Sequence, residues 1–252
     1  MNQKTTNTMT INKAPSAVLP ETMTGDSAAA DQLHQIFNSL PVYSWQTIKD
    51  IPFKDGIYIV FEKGETYKGL PRIVRVGTHT SPGRLKQRLR SHFLSEHHNS
   101  SIFRKNIGKV LLNQDHDPYL AIWTLDTSKA ENAGKADKSK EAEIEHRVSA
   151  YMREAFTFCV FPVENKEERL RLEAAIIAAL NQADDFKASP AWLGRGSPEE
   201  IIRECGMWLK QGLTANPLTR DEMERLAELT ASSKVTHKVV FVSGGDGGGS
   251  FN

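Results

Sequence analysis

Three consecutive pieces of this sequence decide its fold: Gly56-Ile57-Tyr58-Ile59-Val60-Phe61, then Arg72-Ile73-Val74-Arg75-Val76-Gly77, then the helical pattern of Arg84 to Leu94. The first is apolar throughout around one tyrosine and reads as a buried strand. Glu62 to Pro71 supplies the turn residues between the first two pieces. The second alternates in polarity and reads as the hairpin partner of the first. Thr78 to Gly83, with Pro82 and Gly83, is a loop. In the third piece Leu85, Leu89 and Phe93 form an apolar stripe, while Arg84, Arg88 and His92 recur every four residues along a different face.

Outward from this centre the periods change. Leu33, Ile36, Phe37 and Leu40 predict a helix over residues 28–40, and residues 44–51 a short second one. Ile102, Phe103, Ile107, Val110 and Leu111 predict a helix over 101–112. Residues 119–125 read as a strand and 126–140, rich in Lys, Ala and Asp, as a mobile insertion. A helix is expected over 141–154, a strand over 157–163 with Pro162 near its end, and a strong helix over 166–181. Ser197-Pro198-Glu199-Glu200 reads as an N-cap with proline and acids in the first turn of a helix running to about residue 211. Thr219 and Glu222 form a capping box at the start of the last helix. Residues 235–242 read as an edge strand. The polar, aperiodic segment 1–27 is expected to be disordered, and the Gly/Ser tail 243–252 flexible. The expected organisation is a domain over 28–182 and a helical C-terminal extension over 183–242. The fold class is α/β, with a small three-stranded mixed or antiparallel sheet flanked by helices.

Composition narrows the function. The chain has 252 residues and a net charge of only +1. The charge is unevenly spread: residues 54–112 hold 12 Lys/Arg against 4 Asp/Glu, a local +8. Residues 1–53 hold 3 against 4, and residues 113–252 hold 17 against 23. A basic segment in a near-neutral chain suits a phosphate-bearing partner or, equally, a solvated basic face. No apolar run reaches the roughly 18 residues of a membrane span, and the polar N-terminus is not a secretory signal. Cys159 and Cys205, in apolar surroundings, argue against a disulfide scaffold and a zinc ribbon and for a reducing, cytoplasmic setting.

Two features carry chemistry. Arg84 and Arg88 offer planar, permanently charged forks for phosphate oxygens, and His92 a group that moves a proton near neutral pH. Glu173 is a carboxylate set among Leu172, Ala174, Ala175, Ile176 and Ile177. One carboxylate on a rigid helix is a common way to hold Mg²⁺ beside phosphates. On spacing alone the ordinary readings, a basic surface helix and an exposed glutamate, compete with these. Weaker features are His97-His98 and Asp115-His116-Asp117, which lack a matching ligand pair. The glycines of 244–249 lack the Lys-Ser/Thr of a P-loop. Trp192 and Arg195 sit on a Gly-rich loop, where a stacking and charge contact to nucleic acid competes with a core plug.

In their order, Gly56-Ile57-Tyr58, a second strand ending in Gly77, Leu85-x-x-Arg88-Leu89-x-x-x-Phe93 with His92, and a later helix bearing Glu173 resemble the GIY-YIG nuclease family over about residues 54–182. The resemblance implies that Tyr58 lies near the attacking water and that Arg88 grips the scissile phosphate. It makes His92 a candidate relay for the tyrosine's proton and Glu173 the single ligand of a divalent metal, Mg²⁺ with Mn²⁺ as the alternative. Asn181, two turns beyond Glu173, matches a polar residue near the leaving strand. The departure is Arg75-Val76-Gly77, where the family's second tripeptide carries a tyrosine. Arg75, Arg72 or His79 is then expected in a supporting role. With Arg84, Arg104, Lys105, Asn181 and Arg195 these are the expected substrate contacts. The implied activity is metal-dependent endonucleolytic hydrolysis of DNA, in restriction, defence or repair. The alternative is a non-catalytic nucleic-acid-binding module on a degenerate nuclease fold.

Overall fold

The computed structural model describes residues 26–127, 129–132 and 134–242. The segment expected to be disordered, up to residue 25, and the tail 243–252 lie outside the described residues. Helix α1 (Asp26–Asn38) leads into strand β1 (Val42–Tyr43) and a 3₁₀ turn over Trp45–Asp50. The hairpin follows as β2 (Gly56–Tyr67) and β3 (Leu70–Gly77), then helices α2 (Leu85–Phe93), α3 (Ile102–Gln114), α4 (Leu120–Thr124) and α5 (Lys138–Ala155). Strand β4 (Phe156–Pro162) precedes α6 (Lys166–Gln182), the short α7 (Glu200–Cys205) and α8 (Arg220–Val242). The strands form one antiparallel sheet in the order β1-β4-β2-β3.

The continuous apolar run of β2 follows from its central place, because helices cover both faces of the sheet. On one face Ile57, Ile59, Phe61 and Phe161 join Leu33 and Phe37 of α1, Leu172, Ile176 and Leu180 of α6, and Leu226 of α8. On the other, Tyr58, Val60, Phe158 and Val160 pack with Leu85, Leu89 and Phe93 of α2, Phe103 and Ile107 of α3, and Val148 of α5. Strand β3 is one edge of the sheet. There α3 and α6, from the two helical layers, border a cleft with Arg75 and Val76 of β3.

The α/β class and the helix-flanked sheet are as expected, with four strands in place of three. The extra strand, β1, is only two residues long and carries no period to read. Residues 119–125 are helical rather than extended, because the Trp123 indole packs on Gly108 of α3 and donates to the Lys105 carbonyl at 3.0 Å. A run this short does not separate strand from helix by period. The insertion 126–140 holds a 3₁₀ turn over Ala130–Asn132 and the start of α5, capped by Asp137. Residues 235–242 belong to α8, so the edge-strand reading fails there. The helix expected from Ser197 to about residue 211 begins only at Glu200 and stops at Gly206, whose φ of 66° is the left-handed conformation that ends helices. The Thr219–Glu222 capping box forms in both directions, at 2.9 and 3.2 Å.

Candidate active site at the sheet edge

Tyr58 and Gly77 are paired across β2 and β3. The Tyr58 ring lies over the glycine, so any side chain at 77 would collide with it. The ring is wholly buried, and its hydroxyl lies 2.8 Å from Nε2 of His92. His92 Nδ1 lies 2.7 Å from the Ser101 hydroxyl, which also caps α3 by accepting from the Arg104 amide. Burial holds the His92 imidazole well below its ordinary pKa, and the cations of Arg75, Arg88 and Arg104 act in the same direction. The ring is therefore neutral, with one nitrogen free to accept a proton.

The every-fourth-residue spacing explains why Arg84, the N-cap of α2, and Arg88 and His92 within it end in different surroundings. Four residues overshoot one helical turn by about 40°. Arg84 accordingly stands in solvent, Arg88 is half-buried, and His92 is in the core. Arg84 and Arg88 border a groove of about 430 Å³ together with Thr78, His79, Gln87 and Ser91. Arg88 donates to the Ser100 carbonyl at 3.2 Å.

Glu173 comes from the opposite helical layer, on α6, and lines a second cleft of about 600 Å³ with Arg75, Asn106 and the Leu209–Gly212 segment. Burial pushes its carboxyl above the ordinary range. Arg75, a hydrogen bond from the Thr78 backbone, Arg88 and Arg169 pull the other way. Arg75 and Arg88 thus act on both His92 and Glu173 and tie the two halves of the site together. Thr78, bonded to Glu173, is also part of the groove beside Arg88. Arg88 thus borders the groove and Glu173 the second cleft, with Thr78 between them, while Tyr58 and His92 are buried and line neither.

Arg75 holds the place of the absent tyrosine. Its guanidinium lies over the Phe103 ring at 5.0 Å, one terminal nitrogen donates to the Trp208 carbonyl, and Nε has no partner. His79 is buried beside the groove, its Nδ1 donating to the Ser81 carbonyl at 2.7 Å and its Nε2 close to the Gly56 amide. Burial lowers its pKa.

The other expected substrate contacts make hydrogen bonds within the protein, and two of them, Arg72 and Arg104, are closed to any ligand. Arg72 is fully buried, donating through Nε and Nη2 to Glu65 at 2.8 and 2.6 Å and through Nη1 to the Gly206 carbonyl. Arg104 is fully buried among Glu145, the His92 carbonyl and Ser149. Lys105 donates to the Leu125 carbonyl and to Asn99. Arg195 clasps its own loop through the Ser189 and Ala188 carbonyls. Trp192 is a core plug whose indole donates to buried Glu62 at 2.8 Å. Asn181 is exposed and donates to the Leu213 carbonyl. Eight residues beyond Glu173 it has moved about 12 Å along the helix, and it does not line the cleft.

Asn106, Thr78, Ser101 and Lys210 belong to this region and were not singled out from the sequence. Asn106 had a signal: it sits between Phe103 and Val110 at helical spacing, on the core-facing stripe of α3. Lys210 had none, because only the tertiary fold brings residues 209–212 to the edge of β3, where the Trp208 amide donates to the Val74 carbonyl at 2.7 Å.

Among the described residues no group of three or more His, Cys, Asp or Glu side chains could share a metal. A lone carboxylate still fits Mg²⁺, which keeps several waters and takes its remaining oxygens from phosphate. Glu173, lining the cleft that Arg75 also lines, meets that description.

The molecule is thus an α/β domain with a groove lined by Arg84 and Arg88, a cleft at its sheet edge lined by Arg75 and Glu173, and a buried tyrosine–histidine pair. The family model described as a GIY-YIG domain matches residues 31–235, and the chain belongs to this family. Comparisons with curated proteins and with solved structures gave no match. Among the described residues no helix is long and apolar enough to cross a membrane.

Proposed function

We propose that this protein is a divalent-metal-dependent endonuclease that hydrolyses phosphodiester bonds in DNA, acting in the cytoplasm in restriction, defence or repair. The observation that carries the reading is the 2.8 Å bond between Tyr58 and His92, beside arginines that also act on Glu173. The Tyr58 oxygen takes a proton from the attacking water while its own proton passes to Nε2 of His92. A phosphodiester held by Arg75 and Arg88 offsets two of the three cations that add to burial in keeping His92 neutral. Substrate binding therefore raises the proton affinity of the ring when it is needed. Arg88 neutralises the non-bridging oxygens as charge builds on them. Glu173 would hold Mg²⁺ or Mn²⁺, which when bound supplies a positive charge at the leaving oxygen.

One observation favours a second reading, a non-catalytic DNA-binding module. Tyr58 and His92 are both closed to solvent, and Arg75 replaces the second motif tyrosine. Incubating the protein with plasmid, branched and single-stranded DNA, with Mg²⁺ or with EDTA, separates the two. Metal-dependent new ends support the nuclease. Binding without cleavage on every substrate supports the module.

A further inference from the structure

Asn106 is fully buried, and neither its Nδ2 nor its Oδ1 has a partner. A buried polar atom without a partner is destabilising, so an amide left unpaired at both ends is a strong signal of a missing partner. It lines the same cleft as Arg75, whose Nε is a third orphan. The rest of the wall is largely aliphatic: Val76, Ile102, Ala174, Ile177 and Leu209. The Glu173 carboxylate, Gly212, half-buried Lys210 and exposed Gln211 complete it, and Lys210 and Gln211 are long side chains able to change rotamer when a ligand enters.

The chemistry of the orphans selects the ligand. A phosphodiester has only acceptors, so it leaves Oδ1 unpaired. A nucleobase edge offers an acceptor next to a donor, and a carboxamide matches adenine in that way through both of its atoms. Flat bases also suit aliphatic walls, whereas a phosphate gains nothing from them. We propose that this cleft is a nucleobase pocket. It takes the edge of a base, adenine first, from a nucleotide next to the phosphate held by Arg75 and Arg88. The inference rests on the DNA-directed reading above and adds a preference for one base at the cleavage site.

The test has two arms. Wild type and Asn106→Leu are titrated calorimetrically with the four deoxynucleoside 5′-monophosphates and with deoxyribose 5-phosphate. Cleavage ends produced by both proteins on a randomised DNA library are sequenced. Deoxyadenosine monophosphate should bind wild type at least about 10-fold more tightly than deoxyribose 5-phosphate does. Asn106→Leu should lose that margin, a change of roughly 5- to 150-fold for a bidentate pair, and should cut without the base preference of wild type. The leucine variant should melt no lower than wild type, since it removes two unpaired atoms. A lower melting point with unchanged nucleotide binding would mean that buried water, not a base, partners Asn106. If the leucine variant fails to fold, Asn106→Asp, which keeps the acceptor and removes the donor, should move the preference from adenine towards cytosine. The pocket is refuted if all four nucleotides bind no better than the sugar phosphate, or if the Asn106 variants bind and cut as wild type does. If no DNA is cut but adenine nucleotide binding depends on Asn106, the nuclease reading fails and the pocket stands.

Discussion

An added Cβ at Gly77 would stand 2.7 Å from Cε2 of Tyr58 and closer still to its hydroxyl oxygen. The glycine of one motif thus sets the position of the tyrosine of the other. The packing leaves the Tyr58 hydroxyl one position to occupy, and that position is against His92. The sheet register, not a flexible loop, holds the proposed general base.

Gly77→Ala is therefore expected to displace the Tyr58 ring and break its bond to His92. Overpacking of this kind costs about 1–3 kcal/mol. Cleavage should fall at least about 100-fold, with DNA binding reduced much less. Thermal melting, a binding isotherm and a cleavage rate on the same preparation check this.

Tyr58→Phe keeps the ring over Gly77 and deletes the hydroxyl alone. The proton transfer it removes is typically worth about 10²- to 10⁴-fold in rate, and a loss of at least 100-fold is expected, mainly in kcat. Arg75→Ala should instead weaken binding as well as rate, because a phosphate contact already exists in the ground state. Near-normal cleavage by Tyr58→Phe alongside an inactive His79→Ala would transfer the base to His79.

The salt dependence of DNA binding should reflect fewer basic residues than the sequence offers. Eight of the 12 Lys/Arg in residues 54–112 are Arg72, Arg75, Arg84, Arg88, Arg90, Arg104, Lys105 and Lys109. Arg72, Arg104, Lys105 and Lys109 are engaged within the protein, Lys109 by Glu199. With Arg75, Arg84, Arg88 and Arg90 remaining, the slope of log K against log salt should be roughly −2 to −4, not −5. Arg88→Ala should flatten it by about one. Arg104→Met should leave the slope unchanged but destabilise the fold by about 3–5 kcal/mol, since it strands buried Glu145.

How far the sequence was legible follows from which contacts are local. Tyr58, Arg88 and His92 lie on elements whose periods are strong, so their elements and order were readable. Grouping Glu173 with them rested only on the family's order. Its helix lies on the other face of the sheet, and periodicity says nothing about two layers meeting beyond an edge strand. The basic segment misled because charge counts do not show burial. Arg72 and Arg104 look like surface cations until their partners, Glu65 and Glu145, are brought in from 7 and 41 residues away.

Stability should fall on acidification through His34. Its Nδ1 donates to the Ala30 carbonyl at 2.7 Å, and its Nε2 accepts from the Ile73 amide at 3.2 Å, which ties α1 to β3. Burial pulls its pKa from 6.5 to about 4. Between those values the unfolded chain binds a proton that the folded one does not, so stability declines as pH falls through this window. The full contribution is roughly 3 kcal/mol, with a slope of up to about 1.4 kcal/mol per pH unit. Chemical denaturation of wild type and His34→Gln at several pH values from 7 to 4 should give a shallower pH dependence for the variant. Parallel curves would mean that His34 titrates normally in the fold.

The most direct measurement is cleavage by wild type and Glu173→Gln, side by side, on a DNA that wild type cuts, across a range of Mg²⁺ concentration. The amide occupies the carboxylate's place but carries no charge for the metal. The account predicts that the variant stays folded, binds DNA within a few-fold of wild type and makes no detectable cuts at any Mg²⁺ level. Wild-type cleavage rates from Glu173→Gln would contradict it.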